Sequence, residues 1–523
     1  MIKGGSQLKK GIGSWLNTHS HRFKNKTALV YNDVRLTYRQ LNNRVNRLAN
    51  ALSSLGIGQG DRVNALLLNT NELMESMFAC AKIRAIFVPI NTRLGFEELE
   101  YIVNDSGGTA FLFDERLKSV ASGLQERVSR IQHYVQVGAT PEADFELYES
   151  LIARFPADEP AYDVSLDDVH MLMYTSGTTG KPKGAMITHG NTLWNAINAN
   201  NALPFHAKDI TLTVAPLFHI GGMNIFTTPS LYLGGTVILC DKFDPKIVLE
   251  LIEKEKVTTL FLVPAMWLAI MQYPDFSEYD ISSLKLNISG GAPCPLTVIE
   301  FFQKRGVPFF EGFGLTETAP FVSILDEGET IRKKGSVGRT PIHTEVRIVG
   351  PQDMEVPAGE VGELLVKGPN VFVGYWNNPE ETRKAIKSTW FYTGDLAKKD
   401  EEGFLYIVDR KKDMIISGGE NIYPIEVEQV LYRIPNVKEV AVVGVPDEKW
   451  GESVKAYIAL LDPEKSLTLE DVKLFCEGKL ARFKVPKHLE IIESLPRNAT
   501  GKILKTVLRN KQREGKGIQP NVQ

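Results

Sequence analysis

The chain has 523 residues, too many for one ordinary hydrophobic core, so two or more domains are expected. Hydrophobic residues make up 43% and charged residues 24%, which describes a globular chain and excludes a disordered one. With 60 Lys+Arg against 63 Asp+Glu the net charge is −3, without the basic excess of a nucleic-acid binder, so no nucleic-acid partner is expected. Cys80, Cys240, Cys294 and Cys476 lie far apart with no CxxC pair and read as reduced thiols of a cytoplasmic protein. The first fifteen residues are Gly/Lys-rich and show no apolar core of a signal peptide. The best apolar run, residues 77–90, carries Lys82 and Arg84, so no integral membrane span is expected and any membrane contact would be peripheral.

Leu41, Val45, Leu48, Leu52 and Leu55 recur at helical spacing, and Gly56 ends the run as a C-cap does. Residues 63–68 and 85–90 read as short buried strands around a helix at 71–82. After a glycine-rich loop at 174–184 the alternation resumes, with strands near 210–214, 237–239, 259–263 and 286–289 and helices at 246–256 and 295–305. Strands alternating with helices imply parallel sheets, here two similar doubly wound halves at 30–165 and 166–325. From Ile331 the texture changes to short alternating strands at 344–349, 361–366, 390–393 and 403–408, which suggests a small antiparallel barrel or meander. Beyond 410–413 a mixed pattern follows: helix 424–432, strands 439–445 and 455–461, helix 469–480. That makes a separate domain of ordinary size.

The chemistry concentrates in loops that follow strands. Tyr174-Thr175-Ser176-Gly177-Thr178-Thr179-Gly180-Lys181-Pro182-Lys183-Gly184 packs three glycines, four Ser/Thr hydroxyls and two lysines into eleven residues. Glycine lets backbone N–H groups approach an anion, and the lysines add charge for a polyphosphate; the GxxxxGK[ST] spacing of a Walker A loop is absent. The segment 215–222 carries His219 and Ser289–Pro293 carries two glycines; Glu311-Gly312-Phe313-Gly314-Leu315-Thr316-Glu317 offers a carboxylate of the kind Mg²⁺ prefers. Asp395, after Tyr392-Thr393-Gly394, can accept two hydroxyl protons from a ribose diol.

The eleven-residue loop resembles the phosphate loop of the AMP-forming acyl-CoA synthetases, relatives of firefly luciferase and the nonribosomal adenylation domains. Further motifs follow in that family's order from about residue 30 to residue 505. The resemblance implies an α/β fold: a large N-terminal domain, 1–411, of two doubly wound αβα subdomains plus a small β-barrel, and a small mobile α+β C-terminal domain, 412–523. It implies ATP, Mg²⁺ and CoA as cofactors and a small carboxylic acid as substrate. Thr175, Ser176, Gly177, Thr178, Thr179, Gly180 and Lys181 would hold phosphates. Gly291, Ala292 and Pro293, with Glu311, Gly312, Phe313 and Gly314, would surround the adenine. Thr316 would contact the α-phosphate, and Glu317 with Thr175 would hold Mg²⁺. Asp395 would take the ribose, Arg410 the ribose or a phosphate, and Lys412 would be the hinge. Ser417, Gly418, Gly419 and Trp450 would line a pantetheine tunnel, with Phe483, Lys484 and Lys487 near the CoA nucleotide. His219 would lie beside the acyl carboxylate, and Lys502 would catalyse adenylation.

No aspartate stands in the 215–222 stretch to hold an ammonium, so an amino-acid substrate is not expected. The pocket candidates Gly221, Gly222, Met223, Asn224, Val263, Ala319, Pro320 and Phe321 include no cation, which disfavours dicarboxylates. Medium- to long-chain fatty acids and aryl acids (hydroxycinnamate or benzoate types) both fit, and the reading leans to fatty acids. A more distant alternative is an NAD-dependent oxidoreductase, but Gly56-Ile57-Gly58-Gln59-Gly60 precedes its strand where a dinucleotide loop would follow one. Oligomeric state is not readable, and a homodimer is left open.

Overall fold

The structure is a computed structural model that describes residues 11–140, 145–175, 181–418, 420–447, 449–497 and 503–514. It divides into two compact units, Met1–Val346 with Val366–Phe391, and Arg347–Leu365 with Tyr392–Gln523.

In the first unit, the expected early helix runs over Tyr38–Ser54. Thr37 caps its N-terminus: its hydroxyl accepts the Gln40 N–H while the Gln40 side chain accepts the Thr37 N–H. Leu41, Val45, Leu48 and Leu52 are buried, and Gly56 follows in the left-handed region at φ +82°. The helix Asn71–Lys82 falls on the residues the sequence predicts, between the strands Arg62–Leu66 and Ile86–Pro89.

Two large sheets result, one of seven and one of eight strands, each mostly parallel and each with flanking helices. They exchange strands, so the sequential halves 30–165 and 166–325 need correcting. Thr27–Tyr31 pairs in parallel with Thr236–Leu239 and so belongs to the eight-stranded sheet of the second half. Val169–Thr175 lies beside Ile86–Pro89 and joins the seven-stranded sheet of the first. Both migrating strands are apolar in their centres and buried there, so either could satisfy its backbone ladder in whichever sheet offered an edge. Sequence order does not decide that choice. Apolar clusters fill the spaces beside each sheet, one around Phe111, Phe113 and Tyr134, another around Trp267, Phe302 and Phe309.

A third sheet has five strands: Glu345–Val349, Gly362–Lys367, Ile386–Lys387, Trp390–Lys399 and Leu405–Arg410. Four of these match the predicted meander; the two-residue strand 386–387 carries too little pattern to be read. The remainder of the second unit is the expected α+β body. The strands Val437–Asp447 and Gly451–Leu460 form a long hairpin, and the helices Pro424–Leu431 and Leu469–Cys476 pack with it around Val427, Leu431, Val442 and Ile458. All four cysteines are free thiols. Among the described residues, no helix is long and apolar enough to cross a membrane.

Candidate active site

The two strands that flank the glycine-rich segment pair with each other. Val169–Thr175 runs antiparallel to Lys183–Thr188, with Tyr174 opposite Gly184 and Thr175 opposite Lys183. The phosphate candidates Ser176, Gly177, Thr178, Thr179 and Gly180 lie outside the described residues. Lys181 is exposed, its ammonium 5.4 Å from the centre of the Tyr101 ring. Lys183, by contrast, is nearly buried in an ion pair with Glu381, and its ammonium lies 5.6 Å from the centre of the Tyr375 ring. That contact holds the Glu381 carboxyl below the usual range and commits the Lys183 charge to a protein partner.

Three further candidates sit where open α/β sheets bind ligands, beyond the carboxyl ends of strands. Leu286–Gly290 and Phe309–Gly314 are parallel neighbours, with Gly290 opposite Gly312. Gly291 leaves the first of these at φ +82° with Ala292 and Pro293 exposed behind it, an open backbone shelf suited to a flat base. Glu311 lies on the second strand, and burial pushes its carboxyl up to about 7. At Gly314 a Cβ would overlap the Pro320 carbonyl, whose oxygen accepts the Leu315 N–H at 3.2 Å. Glycine there lets the chain fold back tightly and present Thr316 and Glu317, both partly exposed.

Glu317 is held by its own backbone and by one side chain. Its carbonyl accepts the Phe372 N–H at 2.8 Å, and Oε1 accepts the Tyr375 hydroxyl at 2.8 Å. Among the described residues no lysine, arginine or histidine pairs with this carboxylate, and no group of three or more His, Cys, Asp or Glu could enclose a metal. A single accessible carboxylate fits Mg²⁺, which keeps waters and shares its shell with substrate phosphates.

His219 follows the strand Ile210–Thr213 and opens a turn whose next residues, Met223–Thr227, form one π-helical turn. Its ring is buried edge-on to Phe218, 4.7 Å between centroids, and Nε2 has no partner. Burial pushes its pKa down to about 4, so it is neutral at pH 7. A buried ring nitrogen without a partner is costly unless a ligand supplies one, which agrees with a place beside a carboxylate. Asn224 Nδ2 donates to the Ala319 carbonyl at 3.3 Å, which brings the predicted pocket segments 221–224 and 319–321 together. Phe321 and Val263 belong to one apolar cluster with Phe226 and Phe261.

In the second unit Asp395 and Arg410 face each other across adjacent strands and form an ion pair, Nε to Oδ1 2.6 Å, with the aspartate side chain 4% exposed. The Asp395 N–H donates to the Thr393 hydroxyl, which donates to the Leu364 carbonyl at 2.7 Å. Ser417 and Gly418 also meet the segment of Trp450 and Gly451, more than thirty residues further along the chain. Ser417 is opposite Gly451, the Gly418 N–H donates to the Trp450 carbonyl at 2.8 Å, and a Cβ on Gly418 would sit 2.6 Å from the indole. Lys449 and Lys487 flank that indole at 4.9 and 5.3 Å. Gly419 and Lys502 lie outside the described residues. Arg497 and Ile503 form an antiparallel bridge, and the Leu504 N–H donates to the Pro496 carbonyl at 2.7 Å.

The sheet architecture and these strand-end loops define an adenylate-forming enzyme. The chain belongs to the AMP-binding enzyme family, whose model matches residues 16–376, with the family's C-terminal domain matched at 426–502. It is similar to a feruloyl-CoA synthase of Amycolatopsis sp, 42% identical over 96% of this chain and 99% of the relative. It is also similar to a long-chain-fatty-acid–CoA ligase of Mycobacterium tuberculosis, 38% identical over 91% of this chain and 93% of the relative. Among solved structures, o-succinylbenzoate CoA synthetase of Bacillus subtilis in complex with ATP and magnesium superimposes with a TM-score of 0.84, at 32% identity and 94% and 98% coverage. The protein is an AMP-forming acid–CoA ligase that uses ATP, Mg²⁺ and CoA.

Sequence reasoning missed Tyr375 and Glu381. Gly374-Tyr375-Trp376-Asn377-Asn378-Pro379 carries no catalytic residue type in a catalytic spacing; the available signal was the turn chemistry of Asn378-Pro379, which caps the helix Pro379–Ala385.

Two predictions follow from the buried groups. Because folding raises the Glu311 pKa from 4.5 to about 7, the folded state keeps a proton that the unfolded chain has lost, and stability falls as pH rises through that window. Glu311→Gln should flatten this fall, making the unliganded variant more stable than wild type at pH 8 by up to about 3 kcal/mol in urea titrations. Gly418→Ala must fit a methyl against Trp450 at φ +61°, and should slow thioester formation from supplied acyl-AMP tenfold or more while leaving acyl-AMP formation within about twofold, measured as separate half-reactions.

Proposed function

We propose that this ligase activates an aryl or arylalkyl carboxylic acid, such as a hydroxycinnamate, and passes the acyl group to CoA. One observation carries the reading: His219, an imidazole held neutral by burial, precedes the segment 221–224, which carries no lysine or arginine and is tied through Asn224 to the equally uncharged segment 319–321. Asn224 bonds to the Ala319 carbonyl and accepts the Thr228 hydroxyl at 2.8 Å, so both ends of its amide are committed. A compact flat acid suits such a wall better than an extended alkyl chain, and the 42% identity to a feruloyl-CoA synthase points the same way. A medium- to long-chain fatty acid is the second reading, favoured by the apolar lining and by the 38% identical long-chain ligase.

In the first half-reaction the substrate carboxylate attacks the α-phosphorus of ATP in line and pyrophosphate leaves. No general base is needed, because the nucleophile is already ionised. Catalysis rests on placing positive charge and N–H donors where negative charge accumulates. Mg²⁺ supplies charge neutralisation on phosphate oxygens, and Glu317, with Thr175, would hold it. Lys181, the loop 176–180, Thr316 and Lys502 would supply the other contacts to phosphate. Gly291–Pro293 and 311–314 would flank the adenine, and Asp395 with Arg410 the ribose. The imidazole of His219, being neutral, can donate one hydrogen bond to the acyl carboxylate without pairing so strongly that it blunts the nucleophile.

In the second half-reaction the CoA thiolate attacks the acyl carbonyl and AMP leaves. A free thiol titrates near ~8.5, so a fraction is reactive at neutral pH. Ser417, Gly418, Gly419 and Trp450 would line the approach of the thiol. The functional boundary we assign is Lys412, with residues 1–411 binding ATP and acid and 412–523 carrying Lys502 and the tunnel residues. Its ammonium is partly buried, which lowers its pKa, and Asp413 beside it pairs with Arg509 at 2.8 Å.

Lys502→Ala should abolish acyl-AMP formation, by about 10²-fold or more, yet retain thioester formation from supplied acyl-AMP. An equal loss in both half-reactions would show that the lysine does not serve adenylation alone. For the substrate, a panel of hydroxycinnamates, benzoates and saturated fatty acids of graded length is scored by AMP release. The best hydroxycinnamate should exceed the best fatty acid tenfold or more in kcat/KM; the reverse order selects the second reading.

A further inference from the structure

We infer that Tyr375 is a positioning residue for the Glu317 carboxylate, presenting one oxygen to the metal and tying that oxygen's position to the strand that leaves the phosphate loop. The inference rests on the reading of Glu317 as the Mg²⁺ ligand.

The geometry is specific. The Tyr375 hydroxyl donates to Oε1 of Glu317 at 2.8 Å. A carboxylate can rotate about its last bond, and one strong donor on one oxygen fixes the plane and leaves Oε2 as the oxygen free to face a cation. The tyrosine is itself immobilised on every side. Its N–H donates to the Thr382 hydroxyl at 2.9 Å, and its ring stands edge-on to Phe372 at 4.9 Å. Phe372 closes the circuit, because its N–H donates to the Glu317 carbonyl. Side chain and backbone of Glu317 are therefore both held from the segment 372–375.

That segment is stitched to the strand Lys183–Thr188. Tyr375 forms a bridge with Ala185, the Met186 N–H donates to the Gly374 carbonyl at 2.9 Å, and the Trp376 N–H donates to the Gly184 carbonyl at 2.8 Å. Lys183, the first residue of that strand, lies over the tyrosine ring while its ammonium is taken by Glu381. The pairing explains why a lysine so close to the phosphate loop is neutralised. Its ammonium stands over the ring that orients Glu317, and Lys181 is left to meet phosphate. One phenol thus couples the exit of the phosphate loop to the metal carboxylate, which must move together if a metal is to bridge them.

The test uses Mn²⁺ as probe, titrated by electron paramagnetic resonance into the full-length enzyme saturated with a non-hydrolysable ATP analogue. Tyr375→Phe removes one oxygen and keeps the ring against Phe372; melting temperature and binding of a metal-free acyl-adenylate analogue check that the site is intact. The variant should bind Mn²⁺ about tenfold more weakly. Adenylation should then need about tenfold more Mg²⁺ for half-maximal rate and recover most of its kcat at saturating metal. Glu317→Gln, titrated in parallel, should lose more Mn²⁺ affinity than Tyr375→Phe. If Glu317→Gln weakens Mn²⁺ binding and Tyr375→Phe does not, the positioning role is wrong and the ligand assignment stands. If neither variant weakens it, the ligand assignment fails and the inference falls with it.

Discussion

An anion must be brought against an anion: a carboxylate has to reach a phosphorus wrapped in negative oxygens. Two unit charges 4 Å apart at an effective dielectric constant near 20 interact by about 4 kcal/mol, so every uncommitted charge near the reacting atoms matters. The first unit meets this constraint by removing charges as much as by supplying them. Burial holds His219 neutral, and burial moves Glu311 towards its protonated form, so a second carboxylate on the strand leading to Glu317 carries only part of its negative charge at pH 7. Lys183 is cancelled by Glu381. Glu317, with no cationic partner among the described residues, and the exposed Lys181 stand apart from these cancelled charges.

Selecting charges is of use only if they stay in place, and the helix His189–Ala202 provides that rigidity with neutral groups. Asn191, Asn195 and Asn198 fall at i, i+4 and i+7 and share one face. Asn191 donates to the carbonyls of Pro369 and Val371, next to the segment that holds Glu317. Asn195 donates to the Asn224 carbonyl and accepts the Phe321 N–H, joining the two sides of the acyl pocket. Asn198 donates to the Thr344 hydroxyl. Each amide serves backbone or hydroxyl groups that irregular loops would otherwise leave unpaired in the interior. A buried amide carries no charge, so it fixes the loops without disturbing the electrostatic selection around them.

Much of this was legible in the chain because it is local. The helix 71–82 needs only a Thr cap and an apolar stripe, and the glycine loops announce themselves by composition. Strand allegiance was not legible: Thr27–Tyr31 and Val169–Thr175 have the same apolar pattern whichever sheet they join, and nothing local distinguishes the edges. The site divides the same way. Glu317, Asp395 and Gly418 stand in motifs with a recognisable order of residues, whereas Tyr375 acts through a hydroxyl 58 residues from the carboxylate it serves. Lys183 shows the converse failure, since composition reveals a cation but not that Glu381 has already claimed it.

The acyl group is the least legible feature for a thermodynamic reason. A phosphate, a ribose diol or a metal is recognised through charge and hydrogen bonds, which require particular residue types at particular positions and so leave a signature. An apolar acid tail is recognised by volume and shape, where one methylene is worth only about 1–3 kcal/mol and many residue combinations give the same cavity. The pocket segments 221–224 and 319–321 are therefore informative chiefly through polar groups that do not fit a greasy slot. Asn224 is one: fully buried, it spends its amide on Ala319 and Thr228 instead of on substrate. Displacing an amide so placed would strand buried polar groups at about 1–3 kcal/mol each.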